Sequence, residues 1–139
     1  MVGWHKTTVI LVTLPNPSTD VICLLDDDPS VLKAVGRLLS SAGWQAQQFS
    51  DPEKFLEYAR IHRVPVAVLD VWMPAMNGLE VQSRLRELSP STRVIVFTGK
   101  DDPRVRSTAL NAGATAFLTK PFDDEELLIA IRLALASAT

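Results

Sequence analysis

Four carboxylates and one ammonium stand where short apolar runs end. Val21-Ile22-Cys23-Leu24-Leu25 runs into Asp26-Asp27-Asp28, Pro65-Val66-Ala67-Val68-Leu69 into Asp70, and Thr115-Ala116-Phe117-Leu118-Thr119 into Lys120-Pro121. Apolar runs of this length that alternate with helical periodicity read as parallel strands, and the carboxyl ends of such strands share one edge of the sheet. Asp26, Asp27, Asp70 and Lys120 therefore converge from segments far apart in the chain. Like charges about 4 Å apart repel by roughly 4 kcal/mol at an effective dielectric near 20. Such a cluster must hold a cation, lose charge by taking up protons, or do both. Oxygen donors alone favour a hard dication, and magnesium (or manganese) suits a site with few carboxylates and a phosphate oxygen. A carboxylate at 70 beside that cation and an ammonium stays ionised and is placed to attack phosphorus in line. The cation and Lys120 would offset charge on the phosphoryl oxygens in the transition state, and Thr98, ending another apolar run on the same edge, can donate a hydroxyl.

The elements that must position these groups alternate without interruption after Asp20. Strands are expected over 21–25, 44–49, a run ending at 70, 93–98 and 115–119. Helices are expected from Pro29 to a stop at Gly43, from a capped start at Ser50-Asp51-Pro52-Glu53, over 79–88, over 103–112 closed by Gly113, and over 123–136;. Five such βα units with short connections predict an α/β fold of the flavodoxin-like kind, a doubly wound (βα)5 parallel sheet in the order 2-1-3-4-5. That order sets the first and third strands side by side and opens the ligand crevice between their carboxyl ends, where Asp26, Asp27 and Asp70 stand.

At 139 residues the chain is long enough for one domain with a substantial core;. A 47% apolar composition with 22% charged residues argues against disorder, and a net charge of −2 gives no electrostatic footprint for direct nucleic-acid binding;. The single cysteine, Cys23, forbids an internal disulfide and reads as a buried, inert thiol, and with only two histidines no zinc site can be assembled;. Residues 1–19 differ from the rest: the apolar β-branched run 7–14 precedes the breaker Pro15-Asn16-Pro17-Ser18-Thr19;. That run is too short to span a bilayer and lacks a signal peptide's basic start and cleavage site, so 1–19 is expected to be a flexible N-terminal extension ahead of a domain over 20–139;. An extra edge strand or contact arm is the alternative for it. A cytoplasmic location with no membrane association is expected.

Each candidate also has a bland reading. One aspartate at 26–28 would be an ordinary helix cap, but three in succession exceed a cap's need, so Asp28, next to Pro29, takes the capping task and Asp26 and Asp27 the cation. Thr98 by itself is simply a good strand residue. Asp26 and Asp28 also have the spacing of a haloacid-dehalogenase-type phosphatase, although Ser30 stands where threonine or valine is expected and the chain is short for that fold. Gly99-Lys100 suggests a P-loop, but the earlier glycine that motif requires is Val94;.

Taken together, Leu25-Asp26-Asp27-Asp28, Leu69-Asp70-Val71-Trp72-Met73-Pro74-Ala75-Met76-Asn77-Gly78, Phe97-Thr98-Gly99 and Lys120-Pro121-Phe122 resemble the receiver domain of bacterial response regulators over about residues 20–138. The resemblance implies a two-component phosphorelay in which Asp70 accepts a phosphoryl group from a sensor histidine kinase, a phosphotransfer protein or a small phosphodonor. Such a protein is not a turnover enzyme; it catalyses only its own phosphorylation and hydrolysis. In the family pattern Asp27 and Asp70 ligate magnesium directly, Asp26 acts through water, and the Trp72 carbonyl completes the protein ligands. Thr98 and Lys120 bind the phosphoryl group. Phe117 matches the aromatic switch position, which turns inward when the threonine shifts, and the Lys120-Pro121 bond is expected to be cis. Trp72 and Lys100 occupy places that tune phosphoryl lifetime. A pseudo-receiver that binds partners without phosphorylation is the remaining alternative.

The last helix carries a further signal. Leu127, Leu128, Ile131 and Leu135 account for a core face, yet Ile129, Leu133 and Ala136 form a second apolar stripe;. A downstream protein partner or a second copy of the chain is expected to dock on the fourth helix, fifth strand and fifth helix. Ancestry shared with transcription factors is plausible from the sequence style, but DNA binding by this chain is not expected.

Overall fold

Among the described residues, three of the five helices begin with the same device, an aspartate cap followed by proline. In the computed structural model, which describes residues 20–137, α1 (Pro29–Ser41), α2 (Pro52–Ile61) and α4 (Pro103–Asn111) are capped by Asp28, Asp51 and Asp102, whose carboxylates each accept the backbone N–H two residues on. The aspartate satisfies an orphan donor of the first turn, and proline sits where its missing N–H costs nothing. Asn77 caps α3 (Gly78–Leu88) in the same way. Ahead of α5 (Asp124–Ser137), the Asp123 N–H donates to Glu126 Oε1 at 3.0 Å, so Asp123 lies just outside the helix it was expected to open. Past the ends of α1 and α4, Gly43 and Gly113 take φ of 95° and 101°, the left-handed turn that glycine makes without strain;.

Between the helices run β1 (Val21–Leu25), β2 (Gln45–Phe49), β3 (Val66–Asp70), β4 (Arg93–Thr98) and β5 (Ala116–Thr119), all parallel, in the order β2-β1-β3-β4-β5. The expected fold and strand order are therefore those observed. Trp44 falls outside β2 because its N–H donates to Leu39 O, which ties it to the end of α1 instead. Residues 1–19, expected to form an extension, lie outside the described residues.

Alternation along the strands divides the core in two. Cys23, Leu25, Ala67, Leu69, Val94 and Val96 face α2, α3 and α4, whereas Ile22, Leu24, Val66, Val68, Ile95 and Phe97 face α1 and α5;. Burial pushes the Cys23 thiol up to about 12, which makes it inert as expected;. The buried amide of Gln82 crosses from α3 to donate to Ala109 O on α4 at 3.0 Å.

The inner face of α5 differs in detail from the sequence expectation. Leu127, Ala130, Ile131 and Ala134 are its buried residues, while Leu128 and Leu135 are only half-buried. Two alanines permit close approach to the sheet, so the helix turns further than leucine spacing alone suggests. Ile129 and Leu133 remain 50% and 66% exposed. Truncating Ile131 to alanine is expected to cost about 3 kcal/mol in urea unfolding, whereas Leu133→Ala should cost under about 0.5 kcal/mol. Equal losses would mean that the inner and outer stripes are misassigned.

Candidate functional site

Strand register places the site. Leu25 pairs with Leu69, so Asp26 and Asp70 leave adjacent strands side by side, and Thr98 pairs with Thr119, which puts Lys120 one residue beyond. The Lys120 N–H donates to Thr98 O at 2.7 Å, and the Lys120–Pro121 bond is cis. The ammonium reaches back across the sheet edge, 2.9 Å from Asp26 Oδ2, 3.5 Å from Asp70 Oδ1 and 4.6 Å from the centroid of the Phe97 ring. Phe97 gives the lysine an apolar floor and an electron-rich face.

The three carboxylates do not stand in equal surroundings. Asp26 is buried, with Oδ1 accepting the Asp28 N–H at 2.9 Å and Oδ2 taken by Lys120. Asp70 is also buried, and Asp27 is exposed at the rim. One oxygen from each of Asp26, Asp27 and Asp70 lies within 4.8 Å of the others. Burial, reinforced by Asp26 and Asp27 and only partly offset by Lys120, pushes the Asp70 carboxyl up from 3.8 to about 6;. One ammonium does not neutralise three carboxylates, and an all-oxygen donor set of this size suits a hard dication. A cation held here would favour ionised Asp70 and leave its carboxylate beside an ammonium, an arrangement able to accept an electrophilic phosphorus.

Below Asp70 the backbone is as constrained as the side chain. A Cβ on Gly78 would fall 2.1 Å from the Asp70 carbonyl oxygen and 2.9 Å from Val71 Cα, and the Gly78 N–H donates to Val71 O at 2.8 Å. Only glycine lets the start of α3 lie against the residue that ends β3. In the sequence Gly78 reads merely as part of a turn-rich loop.

An open cavity of about 470 Å³ above the carboxylates is lined by Asp26, Asp27, Asp28, Asp70, Trp72, Gly99, Lys100 and Lys120. Trp72 and Lys100, paired in the sequence only by analogy of position, meet here: the ammonium lies 5.9 Å from the indole, which is 45% exposed. Thr98 is different. Its hydroxyl is fully buried, donates to Lys100 O at 3.2 Å and accepts the Lys100 N–H at 3.1 Å, and does not line the cavity. Asp28 takes the capping task expected of it, its Oδ1 accepting the Ser30 N–H at 2.9 Å at the start of α1. Phe117 is already turned inward and buried, with the Arg106 guanidinium 4.8 Å above its ring. Neither Arg106 nor its neighbour Asp101 carries a signal in the sequence, because each looks like an ordinary solvated charge.

Residues 22–132 match the response regulator receiver domain family. The chain belongs to that family. Relatives include the response regulator protein TodT of Pseudomonas putida, 43% identical over 118 residues that cover 85% of this chain and 52% of TodT, and TmoT of Ectopseudomonas mendocina, 41% identical over 123 residues that cover 88% and 56%. The receiver domain thus spans about half the length of the curated relatives it matches. Among solved structures it resembles a CheY-like receiver domain from Methanospirillum hungatei, with a TM-score of 0.82, 26% identity and coverage of 86% and 95%. It also resembles the beryllofluoride-activated NtrC4 receiver domain dimer, with a TM-score of 0.83, 29% identity and coverage of 86% and 99%.

The sign of the Asp70 shift gives a pH test. Between about pH 4 and 6 the folded receiver holds a proton that the unfolded chain has released, so this group's contribution to stability falls as pH rises through that window and stays low above it;. In chelator, Asp70→Asn is expected to be stabilising relative to wild type at pH 7.5, by up to about 3 kcal/mol, with most of that gain gone at pH 4. Thermal unfolding at the two pH values checks it; a difference independent of pH would remove charge crowding as the cause.

Proposed function

We propose that this receiver domain, taken as residues 20–139, is a phosphorylation-dependent switch in a two-component phosphorelay, with Asp70 as the phosphoryl acceptor. The observation that carries the reading is the convergence of Asp26, Asp27 and Asp70 within 4.8 Å, with the Lys120 ammonium among them. Magnesium, or manganese, would be held by Asp27, Asp70 and the Trp72 carbonyl, with Asp26 contributing through water. The exposure of Asp27 and the prior engagement of both Asp26 oxygens support that division. The cation supplies charge neutralisation for the incoming phosphoryl group. Lys120 orients that group, and Thr98 joins it once its hydroxyl leaves Lys100. Catalysis is confined to the chain's own phosphorylation and dephosphorylation, with no separate substrate turned over.

A sensor histidine kinase or phosphotransfer protein is the donor expected in a cytoplasmic setting. Among the described residues, no helix is long and apolar enough to cross a membrane. For output, an apolar groove of about 510 Å³ runs between β5 and α5, floored by Ala116, Leu118 and Ala130 and rimmed by Ile129 and Leu133. It lies on the surface expected to dock a partner, although α4 does not line it. A second copy of the chain or a downstream protein is its occupant in this reading, and the dimer formed by the similar NtrC4 receiver favours the copy. Direct nucleic-acid binding has no place in this reading.

Acetyl phosphate with magnesium should add the mass of one phosphoryl group to the wild-type protein and none to Asp70→Asn. Equal masses for the two would sink the assignment. Trp72 and Lys100, side by side at the mouth of the cavity, are proposed to lengthen the acyl phosphate's life by limiting access of water. Trp72→Ala should shorten the half-life of the phosphorylated protein about three- to tenfold, followed by loss of label after donor removal, and an unchanged half-life would discard the role.

A further inference from the structure

Beyond the groups that would touch the phosphoryl moiety, α4 is held by very little. Val105 and Ala109 are its only buried residues, and Gln82 adds one hydrogen bond at its far end. Arg106, one turn into this short helix, makes two contacts in different directions. Its guanidinium carbon lies 4.8 Å from the centroid of Phe117 on β5, well within cation–π range, and Nη2 lies 3.5 Å from Asp101 Oδ1;. Asp101 belongs to the segment after β4 that also carries Gly99 and Lys100, both lining the Asp70 cavity, and Lys100 holds the Thr98 hydroxyl through both its N–H and its carbonyl.

We infer that Arg106 is a positioning residue that couples this loop to Phe117, so that a change at the Asp70 cavity is felt as a change in the packing of the buried aromatic ring on β5. The coupling rests on the receiver reading above. A movement of Thr98 toward a phosphoryl group must break its bonds to Lys100 and displace the loop that includes Asp101. Because Asp101 and Phe117 share one guanidinium, a shift of the loop biases what lies over the ring. Arginine is suited to this by a flat face for the aromatic and an edge of donors for the carboxylate at the same time, which lysine cannot offer. Both contacts are partly solvated, so their combined effect biases an equilibrium severalfold rather than locking it. A bias of that size is what a reversible switch needs.

The test uses the full chain with 4-fluorophenylalanine at position 117, observed by fluorine NMR, while the Trp72 indole resonance reports occupancy of the cavity by beryllofluoride and magnesium. In the wild type both signals should titrate together. In Arg106→Ala the Trp72 response should persist with its midpoint moved no more than severalfold, because a coupling between two sites acts equally in both directions, whereas the response at position 117 should lose at least half its amplitude. The ring in the unliganded variant should also become severalfold more accessible to a soluble paramagnetic probe. Arg106→Lys, which keeps the charge but loses the flat face, should fall between the two. A position-117 response of unchanged amplitude in Arg106→Ala would overturn the coupling and leave the receiver reading intact. A wild-type Trp72 signal that ignores beryllofluoride and magnesium would overturn the receiver reading and the coupling with it.

Discussion

Lys120 stands between two buried carboxylates, 2.9 Å from Asp26 and 3.5 Å from Asp70, and the charge it leaves uncompensated governs the rest of the molecule's carboxyl edge. A buried carboxylate without a partner is costly, and two of them with the exposed Asp27 within 4.8 Å are more so;. The ammonium relieves part of that cost and orders Asp26, whose two oxygens are taken by Lys120 and by the Asp28 N–H. Asp70 receives only the longer contact, and its carboxyl stays raised. The asymmetry gives a site that is assembled yet unsatisfied, which is the electrostatic condition for binding a dication and an anionic group together.

Holding that condition requires a rigid floor. The fully buried runs of β1, β3 and β4 supply it, with apolar side chains on both faces and the charged groups only at the strand ends. The close approach of Gly78 to the Asp70 carbonyl extends the same rigidity into the loop that follows. By contrast, the β4–α4 segment and α4 carry few buried side chains, so the half of the site that includes Thr98 and Lys100 rests on hydrogen bonds and surface contacts. Stability is thus unevenly distributed: firm under Asp26 and Asp70, weakly anchored toward β5. That division suits a device in which chemistry occurs at a fixed point and its consequence appears elsewhere.

The apolar groove between β5 and α5 sits on the weakly anchored side. Ile129 and Leu133 cannot turn inward, because Ala130 and Ala134 already occupy the face against the sheet. Their exposure is therefore built into the helix, and the neighbouring strand β5 is, among the described residues, an edge strand of the sheet;. Apolar surface next to an open strand edge is a natural place for another chain.

Much of this was determined by the sequence alone, because its signals are local. Strand and helix periods, the Asp-Pro helix starts and the glycines at 43 and 113 named the elements, and their alternation left one common topology. The residues of the site were legible because parallel strands bring their ends to one edge whatever the side chains then do. Tertiary structure alone decided the pairings. Asp26 rather than Asp70 took the shorter contact with Lys120, the Thr98 hydroxyl turned to its own loop, Ala130 and Ala134 displaced leucines from the inner face of α5, and Arg106 came to lie across Phe117. Such choices depend on distances between segments that meet only after folding, and no local pattern in the chain encodes which of several equally reachable partners a long side chain will take.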